Sequence, residues 1–144
     1  MAAVNPAGDS KLIPAEHQIE IRVRYQETDG QGHVHHSNYL NYFEVARAEM
    51  LRLGGVSYRE LEESGVILVV NQASCNYRTA AKYDDVLTIK TTLVKAKGAR
   101  IVHRYLITRG QDVICEGETV VASIGTDGKV KRLPGWLCSD GKSG

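Results

Sequence analysis

The sequence predicts an α+β domain in which one long helix packs against a single antiparallel sheet. Three observations carry that reading. Apolar residues recur every three or four positions between Asn38 and Leu53, the one long helical pattern in the chain. A segment of strict alternation precedes it. Four strand-like segments joined by glycine-containing turns follow it.

In chain order, Ile19, Ile21, Val23 and Tyr25 alternate with Glu20, Arg22 and Arg24, as a strand with one buried face requires. A polar stretch from Gln26 to Ser37, rich in glycine and histidine, leads into the helix. There Tyr39, Phe43, Ala46, Met50 and Leu53 form one apolar stripe. Ser37 or Asn38 can cap the first turn through a side-chain oxygen, and Gly54-Gly55 supplies the positive-φ residues that end helices. At 1.5 Å per residue the helix is about 24 Å long, enough to cross several strands. A short helical turn at Ser57 to Glu63 comes next, and then strands at Val66–Tyr77, Val86–Lys95, Arg100–Thr108 and Val113–Thr126. Lys97-Gly98, Gly110-Gln111 and Asp127-Gly128 carry the turn chemistry of tight hairpins. One helix wrapped by one sheet of about five strands buries the stripe economically, but it leaves the outer sheet face and the edges open. A homodimer or homotetramer is therefore expected.

The chain has 144 residues, enough for one domain with a real core. Its domain is expected at 18–137, with loose tails at 1–17 and 138–144 that contain Pro, Gly, Ala, Ser and Asp without periodicity. Net charge is +1 with both signs interspersed, so there is no basic field for nucleic acid. Cys75, Cys115 and Cys138 are odd in number and without metal-ligand spacing, which fits reduced thiols and the cytoplasm. No apolar run approaches the roughly 20 residues of a membrane span, and the N-terminus lacks an apolar leader core, so membrane insertion and secretion are not expected.

Some near-motifs fail on inspection. Gly30-Gln31-Gly32 begins like a dinucleotide fingerprint, but His35 occupies the third glycine position and no βαβ unit surrounds it. Gly141-Lys142-Ser143 imitates the end of a phosphate-binding loop, but Gly135 is one residue too far upstream and no helix can follow.

The informative stretch runs from Tyr25 to Tyr39. It joins a strand to a helix N-terminus, where free N–H groups and the helix dipole can stabilise an oxyanion on a bound carbonyl. Asp29 beside such a site is a candidate catalytic carboxylate. Thr28-Asp29-Gly30 is also ordinary turn chemistry, and His33, His35 and His36 are as well read as solvated loop residues as metal ligands with Asp29. On the residues alone these alternatives stay open.

The same stretch resembles the acyl-CoA thioesterases of the 4-hydroxybenzoyl-CoA thioesterase group, especially the Tol-Pal-associated branch. That branch's pattern, Y-x-x-T-D-x-x-G-x-V-x-H-x-N-Y-L followed by Y-F-E-x-A-R, is met at every fixed letter from Tyr25 to Arg47. Tyr77 to Leu87 is similar to the group's Y-x-x-P-A-x-Y-D-D-x-L, with Ala80 in place of Pro. The similarity spans about residues 19 to 133. It implies a hot-dog fold and hydrolysis of an acyl-CoA or acyl carrier protein thioester at a homo-oligomer interface, with no metal and no organic cofactor. It implies that Asp29 attacks the thioester carbonyl or activates water, and that His36 and Tyr25 help position the site. Backbone N–H groups near His36 would polarise the thioester oxygen.

Other readings compete. A non-catalytic acyl-CoA-binding module needs the pocket but not Asp29. A dehydratase on this fold carries a Pro-rich H-F-P loop that is missing here. Some related enzymes use a helix carboxylate, which makes Glu44 and Glu49 candidates, although pairing such as Glu44 with Arg47 is the simpler account. Arg78, Lys82, Lys97 and Arg100 could meet the coenzyme phosphates by charge alone.

Overall fold

In a computed structural model, which describes residues 13–139, the chain runs β1 (Glu16–Arg22), α1 (Asn38–Leu53), α2 (Tyr58–Glu63), β2 (Ile67–Tyr77), β3 (Val86–Lys97), β4 (Arg100–Arg109) and β5 (Asp112–Ile124). Every strand pairing is antiparallel, and the order across the sheet is β1-β3-β4-β5-β2. The expected α+β architecture is present: one long helix lies on one five-stranded sheet.

Alternation decides which sheet face receives the helix. Leu87, Ile89, Thr91 and Leu93 of β3 are buried, as are Ile101, His103, Tyr105 and Ile107 of β4. The register aligns them, with Ile89 opposite Ile107, Thr91 opposite Tyr105 and Leu93 opposite His103. Along α1, Tyr39, Phe43, Ala46 and Met50 are buried against this face. Phe43 stacks on Tyr105 with centroids 4.2 Å apart and 8° between planes. Its ring fits because the facing β5 residue is Gly117, where a Cβ would collide with that ring and come within 2.7 Å of the Ser74 carbonyl oxygen. Complete burial of a ring of this size contributes roughly 1.5–3 kcal/mol.

Leu53 departs from the expected stripe and is 58% exposed. The chain reverses at Gly54-Gly55, and Val56 and Leu61 join Met50 and Leu51 in one buried cluster, leaving Leu53 outside. Only Gly55 takes the left-handed conformation, at φ 83°. Gly54 has an ordinary φ and is close-packed instead, since a Cβ there would lie 3.0 Å from Ile13 Cγ1. Capping also departs from expectation. Ser37 is the N-cap residue but makes no capping bond with its side chain. Its Oγ meets His35 Nδ1 at 2.8 Å, and Asn38 Nδ2 donates to the Glu27 carbonyl oxygen at 2.9 Å.

The ordered fold reaches beyond 18–137 at both ends. β1 begins at Glu16, opposite Thr92, and Ala15 accepts a hydrogen bond from Leu93 N at 2.8 Å. Ser139 and Ala96 exchange backbone bonds of 2.6 and 2.7 Å. The remaining parts of the two expected tails, and Gly141-Lys142-Ser143 with them, lie outside the described residues. All three cysteines are free. Among the described residues no helix is long and apolar enough to cross a membrane.

Candidate functional site

Between β1 and α1 the chain makes a single 3-10 turn, Tyr25–Glu27, and then a small hairpin-like turn. Thr28 and Val34 form an antiparallel bridge at its base. Asp29 is near its tip: Asp29 N donates to His33 O at 2.7 Å, and Gly32 N donates back to Asp29 O at 3.0 Å. The outgoing leg is stitched to the segment before β3, through Val34 N to Ala81 O at 2.8 Å and a bridge between His33 and Lys82.

Within this turn Asp29 as a whole residue is half-buried, with its carboxylate toward the surface. Its Oδ1 accepts from Gln31 N at 2.9 Å and His33 N at 3.1 Å, the local bonding that makes Asp a turn residue. Its Oδ2 has no hydrogen-bond partner among the described residues. Partial burial alone would raise the carboxyl's pKa. The N–H groups of Gln31 and His33, together with the nearby His33 and His35 rings, outweigh that effect and hold it below its ordinary value. Asp29 is therefore ionised at neutral pH, with one oxygen committed to the turn and one open.

The loop that carries Asp29 ends at the start of α1. The Ser37 side chain does not cap; Ser37 N donates to His35 Nδ1 at 3.2 Å and Asn38 N to His35 O at 2.9 Å, and the helix start carries the positive end of the dipole. His36 is exposed at this start. Its ring stacks on His35 at 4.2 Å and meets Tyr77 edge-on at 6.3 Å, and its carbonyl accepts from Tyr77 OH at 3.3 Å. Tyr25 is on the other flank, 77% exposed, edge-on to Tyr83 at 5.6 Å. The three sequence candidates thus share one loop, but no hydrogen bond joins the side chains of Asp29, His36 and Tyr25 among the described residues.

Sequence reasoning missed three residues here. Tyr77 and Tyr83 come from the distant second motif and are brought to the loop by the sheet. Glu27 was overlooked although only two residues from Asp29. It is 7% exposed, and its carboxylate accepts from Arg24 N at 2.8 Å, Tyr42 OH at 2.8 Å and the Arg24 guanidinium at 3.1 and 3.2 Å. A signal existed in the three-residue spacing of Arg24 and Glu27.

The other candidates are placed as follows. Glu44 is exposed and 4.0 Å from Arg47, and Glu49 pairs with Arg52. Arg47 is not a surface partner, being only 6% exposed, with Nη1 donating to Tyr105 OH at 3.2 Å. Arg78 faces Glu116 at 3.7 Å. Lys82 is beside the loop, whereas Lys97 and Arg100 pair at the far end of the 12-residue β3. Among the described residues no group of three or more His, Cys, Asp or Glu is arranged to hold a metal ion.

One long helix lying across a five-stranded antiparallel sheet defines the hot-dog class of domains. The chain belongs to the thioesterase-like superfamily, whose family model matches residues 23–140. Haemophilus influenzae acyl-CoA thioesterase YbgC is 37% identical over 114 residues, which cover 78% of this chain and 83% of that protein. Escherichia coli acyl-CoA thioester hydrolase YbgC is 32% identical over 72% of this chain and 78% of its own length. The crystal structure of a DHNA-CoA thioesterase from Staphylococcus aureus superposes with a TM-score of 0.78 at 33% identity, covering 81% of this chain and 80% of that one.

Proposed function

We propose that this protein hydrolyses acyl-CoA thioesters to a free acid and coenzyme A, and that it belongs with the Tol-Pal-associated branch of its family. The observation that carries the reading is Asp29: an ionised carboxylate with Oδ1 fixed by two N–H groups and Oδ2 open, in the loop that leads into α1. Helix-start N–H groups near His36 would hold the thioester oxygen as it gains charge, and His36 and Tyr25 would order the acyl and thioester groups between them.

Two courses satisfy the same geometry. In the first, Oδ2 attacks the carbonyl carbon, the C–S bond breaks, the thiolate leaves and takes a proton, and water cleaves the mixed anhydride. In the second, the carboxylate removes a proton from a water that attacks instead. The lowered pKa of Asp29 keeps the carboxylate ionised, which both courses require. An acyl carrier protein thioester presents the same reacting atoms. The reading needs neither metal nor organic cofactor, and it places the enzyme in the cytoplasm as a homodimer or homotetramer.

A hydrolysis screen over aliphatic acyl-CoAs of increasing length and over aroyl-CoAs, read by thiol release, tests the reading. Turnover of at least one series is expected. Stoichiometric binding of acyl-CoA without thiol release from any member would favour the non-catalytic module instead.

A further inference from the structure

We infer that Glu27 is a positioning residue: its side chain bolts the base of the Thr28–Val34 turn to Arg24 and α1 and so fixes where Asp29 points. This rests on the role proposed above for Asp29.

Three parts of the loop converge on Glu27. Its carboxylate reaches backward to the residue that opens the 3-10 turn after β1, where Oε1 accepts from Arg24 N at 2.8 Å and Oε2 from Arg24 Nε and Nη2 at 3.2 and 3.1 Å. The same Oε1 reaches across to the second turn of α1, accepting from Tyr42 OH at 2.8 Å. Its carbonyl oxygen accepts from His35 N at 2.8 Å, beyond the turn, and from Asn38 Nδ2 at 2.9 Å, at the first residue of α1. One residue thus ties together the entry of the loop, its exit and the helix whose N–H groups face the substrate.

Among the described residues Glu27 is the only buried carboxylate. Burial works against its charge, but the Arg24 N–H, the Tyr42 hydroxyl and the Arg24 guanidinium more than compensate and keep it ionised. The Tyr42 phenol is pushed far up, first by burial and then by donating to that carboxylate, so the pair stays phenol and carboxylate at any physiological pH.

Only Thr28 separates this anchor from Asp29. Thr28 is held locally, its N–H and Oγ1 donating to Tyr25 O at 3.1 and 2.7 Å and its backbone bridging Val34, but among the described residues only Glu27 ties this incoming leg to α1, so a loosened Glu27 lets the leg that carries Asp29 shift against the helix. A misplacement of about 1 Å at a reacting group costs on the order of 10²-fold in rate. Nothing in this arrangement touches the substrate, so the effect belongs in kcat and not in KM.

The test uses Glu27→Gln and Tyr42→Phe in the full-length protein, each alone and each combined with Asp29→Asn, assayed on an acyl-CoA that the wild type turns over. Each single change is expected to lower kcat by roughly 10- to 100-fold with KM within about 3-fold, in protein that is folded by circular dichroism. In the Asp29→Asn background neither is expected to lower turnover further, because there is no longer a carboxylate to aim. A purely structural role would give losses that multiply in the combined variants. Folded single variants with kcat within about 2-fold of wild type, or multiplying losses, overturn the inference while leaving Asp29 in place. Wild-type turnover by Asp29→Asn alone overturns the role of Asp29 and the inference with it. If Glu27→Gln fails to fold, Tyr42→Phe decides, since it keeps the ring and removes only the hydroxyl.

Discussion

Two carboxylates separated by one residue end in opposite environments, and each environment follows from what the local backbone offers. Glu27 turns inward to Arg24 and Tyr42, and Asp29 turns outward with one oxygen open. The buried one makes stability depend on pH. Its folded pKa is below the ordinary value of 4.5, so it stabilises the fold fully above about 4.5, and that contribution is lost as pH falls through the lower folded value. Urea denaturation of wild type and Glu27→Gln should show a stability gap that is constant from neutral pH down to about 4.5 and closes below it. A gap that persists unchanged in acid would contradict the buried ion pair. The sequence points to Asp29 because Thr28 and Asp29 are fixed letters of the motif that begins at Tyr25. It does not point to Glu27, because its value comes from Tyr42, a helical residue 15 positions away.

Among the elements, α1 was legible to the residue. Its apolar spacing is regular, Gly54-Gly55 ends it, and Asn38–Leu53 is the observed span. The strands followed from alternation and hairpin turns, apart from their ends. What the helix pattern could not give was the receiving surface. Nothing local marks Gly117 as the position that admits Phe43, because the clash arises between β5 and α1 only once they are packed. Gly117→Ala should therefore lower stability by about 1–3 kcal/mol, as overpacking does, since Phe43 is fully buried and Ser74 O belongs to the backbone of β2. The measurement is equilibrium urea denaturation. A change below about 0.5 kcal/mol, the range of neutral surface substitutions, would contradict this packing. The expected pairing of Glu44 with Arg47 is present at 4.0 Å, but i,i+3 spacing does not show that the same guanidinium donates to Tyr105 OH.

At the scale of the molecule, the order β1-β3-β4-β5-β2 leaves two edges, and they differ. β2 is 11 residues long and exposes Val69 and Val70, with Val45 and Ala48 of α1 lining a groove beside it. A long edge strand with exposed valines is an association surface unless charge or proline blunts it. Val70, 51% exposed, is thus the position where a charge should oppose assembly. Val70→Lys is expected to reduce the molar mass by light scattering and to lower thiol release at equal protein concentration. An unchanged mass would place the interface elsewhere. The sequence predicts an oligomer from the single-layer sheet but says nothing of which edge would mediate it, because strand order is a property of long-range pairing.

The central claim, that Asp29 carries out thioester hydrolysis, is tested most directly by the turnover of Asp29→Asn. That change keeps the side chain's size and an oxygen to accept from Gln31 N and His33 N, and it removes the charge. Thiol release should fall by about 10²–10⁴-fold in folded protein, while an inert thioether analogue binds with near wild-type affinity because the helix-start N–H groups are untouched. A folded Asp29→Asn protein that retains more than about a tenth of wild-type turnover would contradict the account, since even modest general-base or nucleophilic help is worth 10²-fold.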